Sequence, residues 1–245
     1  MAGYGETALV KSLSFLAEKQ ASISNNLANV DTTAFKRRAA IAQDTGPKFH
    51  TLLDRNLRSV DYVEKSDMER GVLRETGNRF DVAVDGDAWM RVQRGEDQYY
   101  TRNGRLQIGS DGFLVTNAGD RVLNQDGNPI QIGTGAEAPS DLQISPNGAI
   151  SNPFTGQGYG TLALLDLDNP EAMVPIGQGL YTDPSNQAGT QSGGSVRQGF
   201  LEGSNVDSLQ ELVAMITVER TFSATQSALT GINRLQENMI TNILR

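Results

Sequence analysis

Few side chains have the types and spacing for chemistry. Asp166 and Asp168, in LLDLDNP, form a close carboxylate pair of the kind general acid–base catalysis uses. Two residues apart on a strand, they share a face at its end just before Asn169-Pro170, and edge-and-turn chemistry explains them better. Asp120, Asn124, Asp126 and Asn128 have the residue types of a calcium loop. Their spacing fails, because Asp120 stands four residues before Asn124 and no glutamate closes the loop, so they read as hairpin turns. Gly156, Gly158 and Gly160 suggest a phosphate-binding loop, yet the strand-like TLALLDLD follows them and provides no helix N-terminus to hold a phosphate. His50 is the only histidine and there is no cysteine. Thiolate catalysis, disulfides, zinc–cysteine sites and two-histidine metal motifs are thereby removed. The residues offer no catalytic group, no cofactor site and no metal site.

The chain has 245 residues and a net charge of -8, with 20% charged and 38% hydrophobic residues. It is long enough to bury a substantial core. Its acidity argues against nucleic acid as a partner, and the cluster Lys36, Arg37 and Arg38 is short enough to be a solvated face. No stretch approaches the roughly 18 apolar residues of a membrane span, and MAGYGETALVKSLSFLAEKQ lacks the form of a cleaved signal peptide. Residues 1–38 hold five bases and three acids, whereas 39–205 hold 13 bases and 22 acids. A basic end on one molecule and an acidic body on another would steer association.

The elements that position these residues follow from breaker placement. All eight prolines lie between Pro47 and Pro184, and 22 of 26 glycines lie between Gly71 and Gly203. Helix, β-rich body and helix is the order this implies. At the N-terminus Leu9, Leu13, Leu16, Gln20, Ile23, Leu27 and Val30 alternate steps of four and three, the rhythm of a heptad seam. At the C-terminus Val218, Phe222, Thr225, Leu229, Ile232, Gln236, Met239 and Ile243 repeat it, with Leu209, Leu212, Val213, Met215 and Ile216 broadening the stripe upstream. Asn205 or Asp207 would cap this helix. One helix from Asp207 to Ile243 would be about 55 Å long, and a β body of this size has a radius of gyration of only about 14 Å. An overhanging apolar stripe must meet the other terminal helix or another copy of the chain. In the middle, Asp85-Gly86, Asn103-Gly104, Asp111-Gly112, Ala118-Gly119 and Asp126-Gly127 mark turns of an antiparallel meander. LQIGSDGFL (106–114) and LQISPNGAI (142–150) read as one recurring hairpin type.

The fold class is therefore α+β: paired long terminal helices, coiled-coil-like, with a central antiparallel all-β domain. The expected segments are an N-terminal assembly helix 1–34, a connector 35–75 that includes His50, a β domain 76–180, a returning connector 181–204, and a C-terminal assembly helix 205–245 pairing with 1–34. In SNNLANV the amides would line the helix's outer face, with Asp31, Thr32 and Thr33 ending the helix and Phe35 anchoring its exit. Lys36 to Arg38 would face solvent or an acidic neighbour.

ISNNLANVDTTAF (23–35) resembles the N-terminal signature of the bacterial flagellar rod and hook proteins, and QGFLEGSNVDSLQELVAMITVERTF (198–222) resembles their C-terminal signature. DVAVDGDAWMRVQ followed by YYTRNGRLQIGSDGFLVT is similar to the opening of their β domain. Ala34 stands where that signature commonly has glycine, and Asp31 where it commonly has asparagine. The resemblance implies a non-enzymatic subunit of the flagellar basal-body rod, and the short chain favours the proximal-rod type over the distal. It further implies export through the flagellar type III apparatus without a cleaved leader, and assembly with copies of itself and other rod proteins into a hollow shaft crossing the periplasm, without membrane insertion. The assembly interface would comprise Leu9, Leu13, Leu16, Ile23, Leu27, Val30, Phe35, Val218, Phe222, Leu229, Ile232, Met239 and Ile243. A second reading is a secreted oligomeric module whose β domain binds glycan or peptidoglycan. Trp89, Tyr99 and Tyr100 would stack on sugar rings in it, although Trp89 among strand residues reads first as core.

Overall fold

A computed structural model of the chain describes residues 3–44, 60–133, 141–184 and 189–243. His50 and most of the stretch between Thr45 and Ser66 lie outside the described residues. The chain divides into two compact units, one of residues 1–30, 38–67 and 206–245, the other of residues 31–37 and 68–205.

The first unit holds both helices. α1 (Gly3–Ala28) runs through a stretch without glycine or proline after Gly5. α2 (Ser208–Ile243) has 36 residues, about 54 Å at 1.5 Å per residue. Asp207 caps α2: its Oδ1 accepts from the backbone N–H groups of Leu209 (2.9 Å) and Gln210 (3.2 Å), two donors the helix itself cannot satisfy. Leu16, Ile23 and Val218 are buried together, and Ala214, Met215 and Phe222 pack against them. Where the sequence reading places a connector, the chain builds a hairpin. β1 (Arg38–Asp44) pairs antiparallel with β2 (Val60–Ser66), with Ile41 opposite Val63. Ala39, Ala40 and Ala42 carry little hydrophobic contrast, so the sequence of β1 shows no strand alternation.

The second unit is the β body. It opens with β3 (Leu73–Glu75), β4 (Val82–Asp85), β5 (Trp89–Arg94), β6 (Asp97–Thr101), β7 (Leu106–Ile108), β8 (Leu114–Thr116) and β9 (Arg121–Val122). β10 (Gln143–Ile144), β11 (Ala149–Ser151), β12 (Gly158–Thr161), β13 (Leu164–Asp166), β14 (Val174–Gly177) and β15 (Leu180–Thr182) follow. β16 (Thr190–Gln191), β17 (Ser195–Gln198) and β18 (Phe200–Glu202) complete it. The largest sheet runs β14-β15-β6-β5-β9-β8-β7, with β13 joining β5 to β16. β10-β11-β12 form a second sheet, and β17 pairs with β4 and β18 with β3. Val82, Val84, Met90, Val92, Leu114, Ile150 and Leu162 sit at the centre of the core.

The turn glycines divide into two kinds. In the two echoed segments Gly112 (φ +78°) and Gly148 (φ +83°) close equivalent hairpins, donating to Gly109 O and Ser145 O. Asp85-Gly86 is no hairpin turn, since β4 pairs with β17 while β5 pairs with β6. Asn103-Gly104 is not one either. A Cβ at Gly104 would lie 1.6 Å from Val82 O, and the missing side chain lets Val82 N reach Gly104 O at 2.9 Å. Glycine there serves a close approach between chain segments.

Candidate assembly interface and its junction

The residues expected at the assembly seam are all turned away from full exposure where the structure describes them. Leu16 (8% exposed), Ile23 (4%) and Val218 (3%) are buried, and Leu9, Leu13, Leu27, Val30, Phe222, Leu229 and Ile232 are half-buried. Leu16, Ile23, Val218 and Phe222 are brought into one cluster. Val30 lies just past the end of α1, and Phe35, half-buried, belongs to the second unit. The side chains of Met239 and Ile243 lie outside the described residues. Thr225, one of the polar interruptions, donates its hydroxyl to Thr221 O (2.8 Å), so it is satisfied within its own helix.

The upstream residues separate. Met215 joins the cluster, but Leu209 (70%), Leu212 (44%), Val213 (57%) and Ile216 (50%) are exposed. At about 100° per residue these four centre on the side of α2 roughly opposite Val218 and Phe222. The first turns of α2 are thus apolar on two faces, and among the described residues only one face is covered.

Two polar constructions organise the passage out of α1, and neither was read from the sequence. The first lies in the helical unit. Asn26, with no exposed surface, donates from Nδ2 to Arg38 O and accepts at Oδ1 from Arg38 N, both at 2.8 Å. Ser22 Oγ donates to the same carbonyl at 2.9 Å. The amide presents donor and acceptor to a single residue's peptide groups as a neighbouring strand would. The expectation of an outward amide face is corrected for Asn26. Its burial follows from the unsatisfied edge of β1, which an apolar side chain would leave without partners.

The second lies in the body and corrects the solvent-facing basic cluster: Lys36 has no exposed surface. Its Nζ donates to Glu202 Oε1 (2.7 Å) and Glu69 O (2.6 Å). Gly71 N also donates to Oε1 (3.1 Å), while Arg102 Nε donates to Oε2 (2.6 Å). The rest of the Arg102 guanidinium donates to Ala88 O, Gly86 O and Val84 O, and its Cζ stands 5.7 Å from the Trp89 ring centroid. Burial pushes the Glu202 carboxyl up, but attraction to Lys36 and Arg102 and their hydrogen bonds outweigh it and hold the group below its ordinary range. Around this carboxylate the backbone is stapled as well. Ala34 N donates to Glu202 O (2.8 Å), Arg37 N to Asn205 Oδ1 (2.6 Å), and Asn205 Nδ2 to Glu69 O (3.1 Å). Asn205 is therefore not the cap of α2. It ties 31–37 and 68–71 to 202–205, the three segments at which the body meets the rest of the chain. Ala34 takes φ +55°, the left-handed region that favours glycine.

The arrangement holds no reacting group. Among the described residues no cluster of three or more His, Cys, Asp or Glu could hold a metal, and no described helix is long and apolar enough to cross a membrane. Asp120 binds Arg94 and Thr116, and Asn124 Oδ1 accepts from Asn128 N, as turn chemistry requires. Trp89 is 2% exposed and packs with Tyr181, Met173 and Tyr100, whereas Tyr99 packs against the main core cluster. These aromatics make no common platform for a sugar.

Residues 83–152 match the family described as "Flagellar hook protein FlgE/F/G D1 domain", and residues 197–242 match "Flagellar basal body rod FlgEFG protein C-terminal". A flagellar basal-body rod protein FlgF from Rhizobium meliloti (strain 1021) is 32% identical over 220 residues, covering 84% of each chain. The chain belongs to the flagellar basal-body rod proteins. The rod protein is also similar to FlgG of Bacillus subtilis (strain 168), with 28% identity over 242 residues, 89% of this chain and 90% of that protein. FlgF of Mesorhizobium japonicum is 30% identical over 210 residues, 83% of this chain and 82% of its own length. The rod protein is thus a structural, non-enzymatic subunit of the flagellar basal body, assembling with other rod components. That assignment gives its apolar seams a use that no pocket chemistry would.

Proposed function

We propose that this rod subunit builds the wall of the hollow shaft through its terminal helices, which pair in a coiled-coil-like seam and seat the outer stripe of α2 against helices of neighbouring subunits. The residues expected at the seam hold the pair together, and Leu209, Leu212, Val213 and Ile216 make the contact between molecules. The observation that carries this reading is that α2 is apolar on a second face that no described residue covers. In an isolated soluble molecule such a face is unfavourable by about 25 cal/mol per Å² left in water. We further propose that the subunit is of the proximal-rod type and reaches the periplasm through the flagellar type III apparatus.

Ile216→Asp in the full chain tests the helix contact. Its side chain is already half in water, so Trp89 fluorescence and helical circular dichroism should match the parent. Electron microscopy of basal bodies from cells carrying only this variant should show no completed rod. Rods of normal length built from Ile216→Asp would refute the helix-seam reading. In the deletion strain, the point at which the shaft stops reports whether the subunit is proximal.

A further inference from the structure

The body has an uncharged turn with one exposed aromatic ring that the helix seam does not use. β11 and β12 form a hairpin rooted in the core by Ile150 (1% exposed), with Tyr159 packed against the same cluster. Its tip, residues 152–157, is held by its own hydrogen bonds. Asn152 Oδ1 accepts from Phe154 N (2.8 Å) and Thr155 N (3.2 Å). Asn152 N donates to Gln157 O (2.8 Å), and Gly156 N (φ +71°) donates to Asn152 O (2.9 Å). This fixed tip presents Phe154 with 79% of its surface exposed. One exposed apolar residue is ordinary on a protein surface. An aromatic ring on a pre-formed turn differs, because it loses little conformational freedom when it binds.

The charge pattern says what it meets. The body unit carries 18 acidic and 11 basic residues, so two bodies brought together repel least where charge is absent from both facing surfaces. Residues 142–165, which include the whole hairpin, contain no charged side chain, and neither do residues 172–182. The second stretch holds the edge strand β14, where Val174 (47%) and Ile176 (41%) are exposed. Pro175 lacks the N–H for adding a strand there, which leaves the edge to side-chain contact. Val72, the remaining exposed large apolar residue described on the body, stands among Glu69, Arg70, Arg74 and Glu75 and is a poorer seat. We propose that Phe154 of one copy docks on the Val174–Ile176 edge of a second copy, body to body. Two different patches meet, so the contact is head-to-tail and propagates, as an open shaft requires. The inference rests on the rod-assembly reading and adds to it a contact outside the helices.

The chain has no cysteine, so two singly substituted full chains test this directly. Phe154→Cys and Ile176→Cys are produced in one cell lacking the parent gene, and the isolated rods are oxidised. A disulfide-linked heterodimer joining 154 to 176 is the expected result. Rods containing both chains but yielding no such dimer, or only 154–154 dimers, overturn the body contact and leave the helix seam standing. Phe154→Ser, with Trp89 fluorescence unchanged, should raise the subunit concentration needed for half-assembly about tenfold, and Phe154→Leu should recover most of the loss. Unchanged assembly of Phe154→Ser overturns the proposal too. Normal rods in cells wholly lacking the protein would instead remove the rod-assembly reading itself.

Discussion

Glu202 is shared by two buried cations, and that imbalance predicts an order of mutant stabilities. Lys36→Met keeps the aliphatic volume and removes one cation, while the carboxylate keeps Arg102 Nε at 2.6 Å and Gly71 N at 3.1 Å. Two charge-assisted hydrogen bonds are lost, to Glu202 Oε1 and Glu69 O. Each acceptor keeps a second donor, Gly71 N and Asn205 Nδ2, so the cost is held to about 1.5–3 kcal/mol. Glu202→Gln keeps the shape but leaves Lys36 and Arg102 in a dry site without their shared anion. Removing one partner so that charge stays uncompensated costs about 3–5 kcal/mol. Glu202→Gln should therefore be less stable than Lys36→Met by about 2 kcal/mol. Trp89 is the only tryptophan and lies beside Arg102, so urea unfolding followed by its fluorescence reads the body alone. With a slope of about 2 kcal/mol per molar urea, the midpoint should fall by about 1 M for Lys36→Met and about 2 M for Glu202→Gln. The acid limb gives a second readout. The folded carboxyl is held below its unfolded value of about 4.3, so its stabilisation is complete above that pH and is lost as pH falls through the lower folded value. The parent's stability should drop more steeply below about pH 4.3 than that of Glu202→Gln. A Lys36→Met protein at least as unstable as Glu202→Gln would show that the cluster is not governed by charge imbalance.

Two further substitutions probe the exit from α1. Ala34→Gly should be nearly neutral: relief of left-handed strain, about 1–2 kcal/mol, is offset by added chain entropy and one lost buried methyl group. Ala34→Val should be destabilising by several times that margin, because a branched Cβ suits φ +55° badly; urea midpoints compare the three. Asn26→Ala removes both bonds to the Arg38 backbone and should cost about 2–3 kcal/mol, seen as lost hydrogen-exchange protection in β1 and β2 with no change in Trp89 fluorescence.

The helices were legible because their signal is local. Spacing of Leu9, Leu13, Leu16 and Ile23 repeats within two turns, and the capping oxygen of Asp207 lies two residues from the N–H it binds. Hairpin turns at Gly112 and Gly148 were legible for the same reason. The junction was not. Lys36 and Glu202 are 166 residues apart, and nothing near Lys36 distinguishes a lysine destined for burial from one destined for solvent. Asp85-Gly86 misled because a turn dipeptide reports a change of direction, not which strands pair across it. The two-faced character of α2 was half visible: Leu209, Leu212, Val213 and Ile216 broadened the stripe, but only the packing of α1 shows which residues of it stay uncovered.

The burial of Lys36 has a consequence for reagents. All five lysines of the chain lie at positions 11, 19, 36, 48 and 65, so Lys36 is the sole amine in the body unit, whose other bases are arginines. With no exposed surface and an ion pair to Glu202, it is shielded from acylating probes while the body is folded. An amine-directed ester therefore finds no target on the body's surface, and a label at residue 36 becomes a record that the body has opened.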